Sequence, residues 1–249
     1  MPAPWLLPHL AAPLAALVDH TLLKPEATAE EIARLCDEAV RLRFGAICVH
    51  GQWVGEAVAR LRGSPVAVVA VVGFPLGANG LVAKAAETRL VVADGATEVD
   101  MVLPLGSVKG GRWEEVCDEV TAVVDAARGR PVKAIVESAA LTPRELELAC
   151  RAAVEAGALY VKTSTGFHPA GGATVEAVQL IRRVVGDRAG VKASGGVRTV
   201  DDALRMLRAG ASRLGTSAAA GWPAVGAGRP LGDLLAADAG HAGASAAGG

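Results

Sequence analysis

Eight short β-branched runs alternate with longer helix-period stretches along 249 residues, and this alternation predicts an α/β fold. Several of the runs, such as VAVVAVV, are apolar almost throughout, as strands covered on both faces are, and this favours parallel pairing. No linker or composition break divides the chain. The three observations together predict a single (β/α)8 (TIM) barrel, with a short N-terminal helix covering one end. The competing open doubly wound sheet would show G-x-G-x-x-G after its first strand, and LVDHTLLKPEAT contains no such motif.

The segment 1–16 is the expected cap. A signal peptide fits it poorly, because no Lys or Arg precedes the apolar stretch and Pro2, Pro4, Pro8 and Pro13 interrupt it. The barrel is expected over 17–237, with strands at 17–22, 46–50, 66–72, 98–103, 132–137, 159–163, 190–193 and 213–215. Helix starts are marked by Thr28 with Glu31, by Thr142 with Pro143 and Glu145, and more weakly by Thr199 with Asp202. In each case a hydroxyl and a carboxylate can satisfy orphan N–H groups reciprocally. Gly45, Gly95, Gly157 and Gly210 close helical stretches shortly before strands. Residues 238–249 are small and aperiodic, and a flexible tail is expected.

A net charge of -1 gives no electrostatic footprint for nucleic acid or an anionic membrane. The longest apolar run, 66–78, is too short for a membrane span and ends in Gly-Phe-Pro-Leu-Gly. Cys36, Cys48, Cys117 and Cys150 form no CxxC pair, which points to a reducing compartment and a cytoplasmic location. His20, His50 and His168 fall near strand ends but lack metal-ligand spacing, so no metal is expected. Lys84 and Glu87 read as an (i, i+3) pair on a solvated helix face.

Barrel chemistry belongs at the C-terminal ends of strands. Those ends carry Asp19, Asp100, Lys133, Glu137, Lys162 and Lys192. Of 25 basic residues only six are lysine, so a lysine kept inside an apolar run invites a chemical explanation. Lys162 in LYVKTSTG and Lys192 in GVKASGG sit at equivalent depth on successive strands. Burial and a second cation both favour the neutral amine. Moving a lysine from about 10.4 to about 7 takes roughly 5 kcal/mol of differential destabilisation. A neutral amine can attack a carbonyl and form a Schiff base, which arginine cannot do. The competing reading is that each lysine only pairs with Asp100 or Glu137. Asp100 suits a proton relay or a structural ion pair. ASGGV and LGTS place backbone N–H groups at the rim after the last two strands, where such barrels often hold phosphate; Gly166 adds another donor. Two other functions stay open. One is a phosphosugar isomerase with Asp100 and Glu137 as acid and base; the other is a phosphate-ligand binder without turnover.

DHTLLKPEAT, ICVH, EVDMVLP, VKAIVES, YVKTSTGF, VKASGGVRT and RLGTS occur in the order and spacing of deoxyribose-phosphate aldolases, and the chain resembles that family from about Val18 to Ser217. The resemblance implies a class I aldolase that reversibly cleaves 2-deoxy-D-ribose 5-phosphate to acetaldehyde and D-glyceraldehyde 3-phosphate, in deoxyribonucleotide catabolism. It implies Lys162 as the Schiff-base lysine, Lys192 as the second lysine that tunes it, Asp100 as the relay acid, and Asp19 and Lys133 as supporting polar groups. Gly195, Gly196, Gly215 and Ser217 match the phosphate cradle. The expected partners are a small phosphorylated sugar and aldehydes, with no cofactor or metal and with room for a homodimer. Two departures stand out. Phe167 follows TSTG where some members have lysine, so phosphate rests more on backbone donors and Arg198. Some members also end in a tyrosine, whereas Tyr160 is the only one here.

Overall fold

The computed structural model describes residues 11–237. The first ten residues of the expected cap and the expected tail, 238–249, lie outside the described residues. Eight strands form one closed parallel barrel in sequence order, with β8 paired back to β1. They are β1 (Val18–Thr21), β2 (Ala46–Val49), β3 (Ala67–Val72), β4 (Glu98–Val102), β5 (Val132–Ile135), β6 (Tyr160–Lys162), β7 (Gly190–Ser194) and β8 (Arg213–Thr216). Around them run α1 (Ala29–Leu42), α2 (Val54–Arg60), α3 (Leu81–Ala93), α4 (Leu105–Lys109), α5 (Trp113–Ala126), α6 (Pro143–Glu155), α7 (Val175–Val185), α8 (Val200–Arg208) and α9 (Pro223–Gly226). Residues 231–237 are also helical.

The three marked helix starts form as read: Thr28, Thr142 and Thr199 each cap their helix in a reciprocal box. Gly95, Gly157 and Gly210 take positive φ at the helix stops. The stop after α1 is different. Arg43 takes the left-handed conformation there, and Gly45 is needed for space, since a Cβ on it would lie 2.3 Å from the Ala16 carbonyl oxygen. That contact belongs to a single 3-10 turn, Leu14–Leu17, which sits under the N-terminal ends of β1 and β2. Leu14 and Ala15 are buried there, and Gly45 N–H donates to the Ala15 carbonyl.

Successive residues of each strand point alternately outward and inward. Outward, Val18, Ile47, Val49, Val68, Ala70, Val99, Met101, Ala134, Val161, Val191 and Leu214 join the helices in the main core. Inward, the barrel is divided. On the β2–β3 side the lining is apolar: Ala46, Cys48, Val69 and Val71, roofed by Leu23. On the β4–β8 side it is ionic.

Lys84 overturns the solvated-pair reading. It is fully buried and donates to the carbonyls of Gly77 (2.8 Å) and Val102 (2.7 Å) and to the Glu119 carboxylate of α5. Glu87 instead accepts from Gly73 N–H at 2.8 Å. Helical spacing alone pointed to Glu87, but the tertiary packing of α3 on α5 supplied other acceptors. Burial pushes the Lys84 ammonium down and the Glu119 carboxyl up, and each is partly offset by the other. Lys84→Met strands a buried carboxylate and two carbonyls, so urea unfolding should show a loss of about 3–5 kcal/mol. An unchanged unfolding midpoint would contradict this arrangement.

Candidate active site

The inward positions of β1 and β4–β8 carry Asp19, Glu98, Asp100, Lys133, Lys162, Lys192 and Arg213. Register sets them in neighbouring pairs: Asp100 is opposite Lys133, Lys162 opposite Lys192, and Lys192 opposite Arg213. Asp100 is the hub. Its Oδ1 accepts from Lys133 Nζ at 2.8 Å, and its Oδ2 accepts from both Lys162 Nζ (2.8 Å) and Lys192 Nζ (2.7 Å). Asp19 accepts from Lys192 and from Arg213 Nε. Glu98 accepts from Lys133 Nζ at 2.5 Å and lies 3.5 Å from the Arg213 guanidinium.

The cluster sets its own charges. Burial pushes the Asp100 carboxyl up, but Lys133, Lys162 and Lys192 outweigh burial and hold it well below the usual carboxylate range. Asp19 is held low in the same way, against burial, by Arg213, Lys192 and Lys133. Burial pushes the Lys192 ammonium down, but Asp100 and Asp19 reverse this and hold it well above the usual lysine value. Lys133 is likewise raised against burial, by Asp100 and Glu98. Asp100 and Asp19 thus favour the charged form of Lys192. It does not face Lys162 bare, because a single Asp100 oxygen sits between the two amines.

Above the hub lies a cavity of about 270 Å³. Lys162 is the one lysine of the hub that lines it; Lys133 and Lys192 are sealed beneath. Gly166, Gly195, Gly196, Gly215 and Ser217 line the same cavity, together with Thr165, Phe167, Leu23 and two exposed cations, Lys24 and Arg198. Gly166, Gly195 and Gly196 take φ of 85°, 80° and 88°, conformations that turn successive N–H groups to one side. Among the described residues the N–H groups of Gly166, Gly195, Gly196 and Ser217 meet no protein acceptor. All ten candidate residues from the sequence thus fall in one place.

Sequence reasoning missed Arg213 and Glu98. Both lie in strand runs it had identified, and a charged residue inside a strand was the available signal. The rarity of lysine drew attention away from arginine. Glu137 turns away from the cavity. Its carboxylate accepts from Thr165 N–H (3.2 Å) and from the Thr165 hydroxyl (2.5 Å), so it is not placed as an acid or base for a ligand. The three histidines have separate duties: His20 pairs with Glu38 at 2.7 Å, His50 donates to the Leu23 carbonyl at 3.0 Å, and His168 accepts from Ala170 N–H. Among the described residues no three His, Cys, Asp or Glu side chains group as a metal site would need. Nor is any helix there long and apolar enough to cross a membrane.

A closed parallel barrel that gathers amines and carboxylates in its interior, beneath a cavity at the C-terminal ends of β6 to β8, is the architecture of a barrel enzyme. Residues 14–229 match the family model described as DeoC/LacD family aldolase. The chain is 54% identical over 200 residues to the deoxyribose-phosphate aldolase of Brevibacillus brevis, covering 80% of this chain and 90% of that protein. It is 50% identical to that of Carboxydothermus hydrogenoformans, covering 82% and 91%. A solved tetrameric deoxyribose phosphate aldolase from Aeropyrum pernix superposes with a TM-score of 0.78 at 35% identity, covering 83% of this chain and 87% of that one. The chain belongs to the DeoC/LacD family of aldolases.

The hub has a pH signature. Asp19 and Asp100 have depressed folded-state pKa values. Their stabilisation is therefore complete above the unfolded carboxylate value of about 4 and is lost as pH falls below it. Asp19→Asn leaves Lys192 and Arg213 facing a neutral amide, so urea unfolding at neutral pH should show a loss of roughly 3–5 kcal/mol. The same variant should show a shallower fall of stability in acid than the parent. Parallel acid limbs in the two proteins would contradict the assigned ion pairs.

Proposed function

We propose that this chain reversibly cleaves 2-deoxy-D-ribose 5-phosphate to acetaldehyde and D-glyceraldehyde 3-phosphate through an imine on Lys162, in deoxyribonucleotide catabolism in the cytoplasm. The observation that carries the assignment is that Lys162 is the hub lysine whose side chain lines the cavity. Charge balance supports it. With Lys133, Lys192 and Arg213 as cations and Asp19, Glu98 and Asp100 as anions, the buried cluster is neutral when Lys162 is an uncharged amine.

The amine attacks C1 of the open-chain sugar and water departs, leaving an iminium. The C3 hydroxyl then gives up its proton, C3 becomes the aldehyde of glyceraldehyde 3-phosphate, and the C2–C3 bond breaks. Its electron pair moves into the iminium and forms an enamine. Protonation at C2 and hydrolysis of the imine release acetaldehyde and restore Lys162. Asp100, in contact with Lys162, is the group that relays these protons through a bound water or hydroxyl. Lys192 stays charged beside it, while Asp19 and Lys133 hold Lys192 and Asp100 in place. The protonated imine serves as the electron sink, so this route calls for no metal. The free N–H groups of Gly166, Gly195, Gly196 and Ser217, with Gly215 giving the strand end close approach, receive the phosphate. Its binding energy orients the rest of the substrate. Lys24 and Arg198 add charge at the rim.

The assembly that goes with this reading is a homodimer. The exposed apolar residues Leu76, Leu81 and Val82 offer a surface for a second copy, and light scattering of the purified chain decides between dimer and tetramer.

Two outcomes test the chemistry. Borohydride reduction with acetaldehyde should add a two-carbon unit to the Lys162 peptide, seen by mass spectrometry. Lys162→Arg should lose both the adduct and sugar cleavage, and an active Arg variant would overturn the imine. Lys192→Leu removes one cation, so the buried charges then balance with Lys162 protonated. Activity near neutral pH should drop, and the acidic limb of the rate profile should move to higher pH. A profile that does not move would remove Lys192 from this role.

A further inference from the structure

The cavity over Lys162 is backed by the loops that follow β6, β7, β8 and β1, which are neighbours around the barrel. Its remaining side faces the mouth above β2 to β5. A chain of contacts from four loops crosses that side. His50, after β2, donates from Nε2 to the Leu23 carbonyl of the loop after β1. Its ring meets Phe74, after β3, edge to face at 5.7 Å. Phe74 in turn meets Phe167, after β6, edge to face at 5.3 Å and 86°. β3 and β6 are not neighbours, so the Phe74–Phe167 contact spans the barrel mouth.

Both rings of the Phe74–Phe167 contact are held. Phe74 packs against the apolar cluster of the barrel interior that includes Cys48, Val69 and Val71. Phe167 N–H donates to the Thr165 hydroxyl at 3.1 Å, and that hydroxyl donates to Glu137. Glu137 is buried at φ 54°, a left-handed conformation costly for a non-glycine residue, and it spends its carboxylate on Thr165. The backbone around Phe167 is therefore set from below, while its ring remains half-exposed and lines the cavity.

We propose that the His50–Phe74–Phe167 arc is the specificity wall of the acceptor site. Its cavity-facing member, Phe167, stands next to Gly166 of the phosphate cradle with Phe74 and His50 behind it, and so limits the length of the aldehyde that the Lys162 enamine can attack. Phe167 is the specificity-determining residue, and Phe74 and His50 position it. This rests on the aldolase reading. A three-carbon acceptor with its phosphate in the cradle fits within the wall. A longer unphosphorylated acceptor, with nothing to hold in the cradle, meets the Phe167 ring.

The test uses acetaldehyde as donor and compares kcat/KM for two acceptors, D-glyceraldehyde 3-phosphate and hexanal, in the parent chain and in Phe74→Ala, Phe167→Ala and the double variant. An edge-to-face aromatic pair holds its partners by an amount equal to about three- to tenfold in a rate ratio. Each single variant should raise the hexanal to glyceraldehyde-phosphate ratio by about that factor. The double variant should rise little beyond the larger single effect, because the two rings act as one unit. Phe167→Tyr, which keeps the wall, should leave the ratio near that of the parent. A merely structural role would lower both rates together and leave the ratio unchanged, which overturns the wall. A change confined to Phe167→Ala overturns the part given to Phe74. The parent chain separates this inference from the reading beneath it. If the parent joins acetaldehyde to neither acceptor, the aldolase reading fails and the wall fails with it; active variants with an unmoved ratio overturn the wall alone.

Discussion

A single carboxylate accepting from three lysines is the constraint around which this barrel is organised. Asp100 is fully buried, and an isolated carboxylate there would be prohibitively costly. It is tolerable because β5, β6 and β7 each deliver an ammonium or amine to it, with Lys133 opposite Asp100 and Lys162 opposite Lys192 in the barrel register. A slip of one residue in any of these strands would turn its lysine out toward the helices. The ion network and the strand register therefore depend on each other. Ion pairs of this kind add little net stability, so their placement points to chemistry.

The interior is divided accordingly. Small apolar side chains fill the β2–β3 half, while the charged half lies beneath the cavity. The boundary between them continues upward as the aromatic contacts at the mouth. Lys133 and Lys192 are sealed below, each paired with two carboxylates that favour its charged form. Lys162 shares Asp100 with them yet reaches the open space. The difference among three chemically identical side chains is one of access. Backbone at the ends of β6 to β8, mostly glycine, completes the site with N–H groups that meet no acceptor among the described residues.

Much of this was legible in the sequence, and the reasons are specific. Strand periodicity is a local property, so all eight strands fall within two residues of the expected ends. Thr-x-x-Glu and Thr-x-x-Asp spacing is local too, and the three caps form. Lys162, Lys192 and Asp100 stood out because a charge inside a β-branched run has few structural excuses. What was not legible depended on contacts between distant elements. Lys84 looked solvated because Glu87 is three residues away, yet its partner Glu119 is 35 residues on. Glu137 looked like a site carboxylate by its place at a strand end, but a left-handed backbone turns it to Thr165. Arg213 was overlooked although it occupies the same inward layer as the lysines. Phe74 and Phe167 are 93 positions apart in sequence, and nothing local announces that their rings touch.

The central claim is that Lys162, and no other hub lysine, takes the aldehyde while the charges around it stay in place. A crystal structure of the protein after borohydride reduction with acetaldehyde tests it most directly. The account predicts an ethyl group on Lys162 Nζ pointing into the glycine-lined cavity, with Lys192 still bridging Asp19 and Asp100. Density for the two-carbon unit on Lys133 or Lys192, or a Lys162 side chain withdrawn from Asp100 and from the cavity, would contradict it.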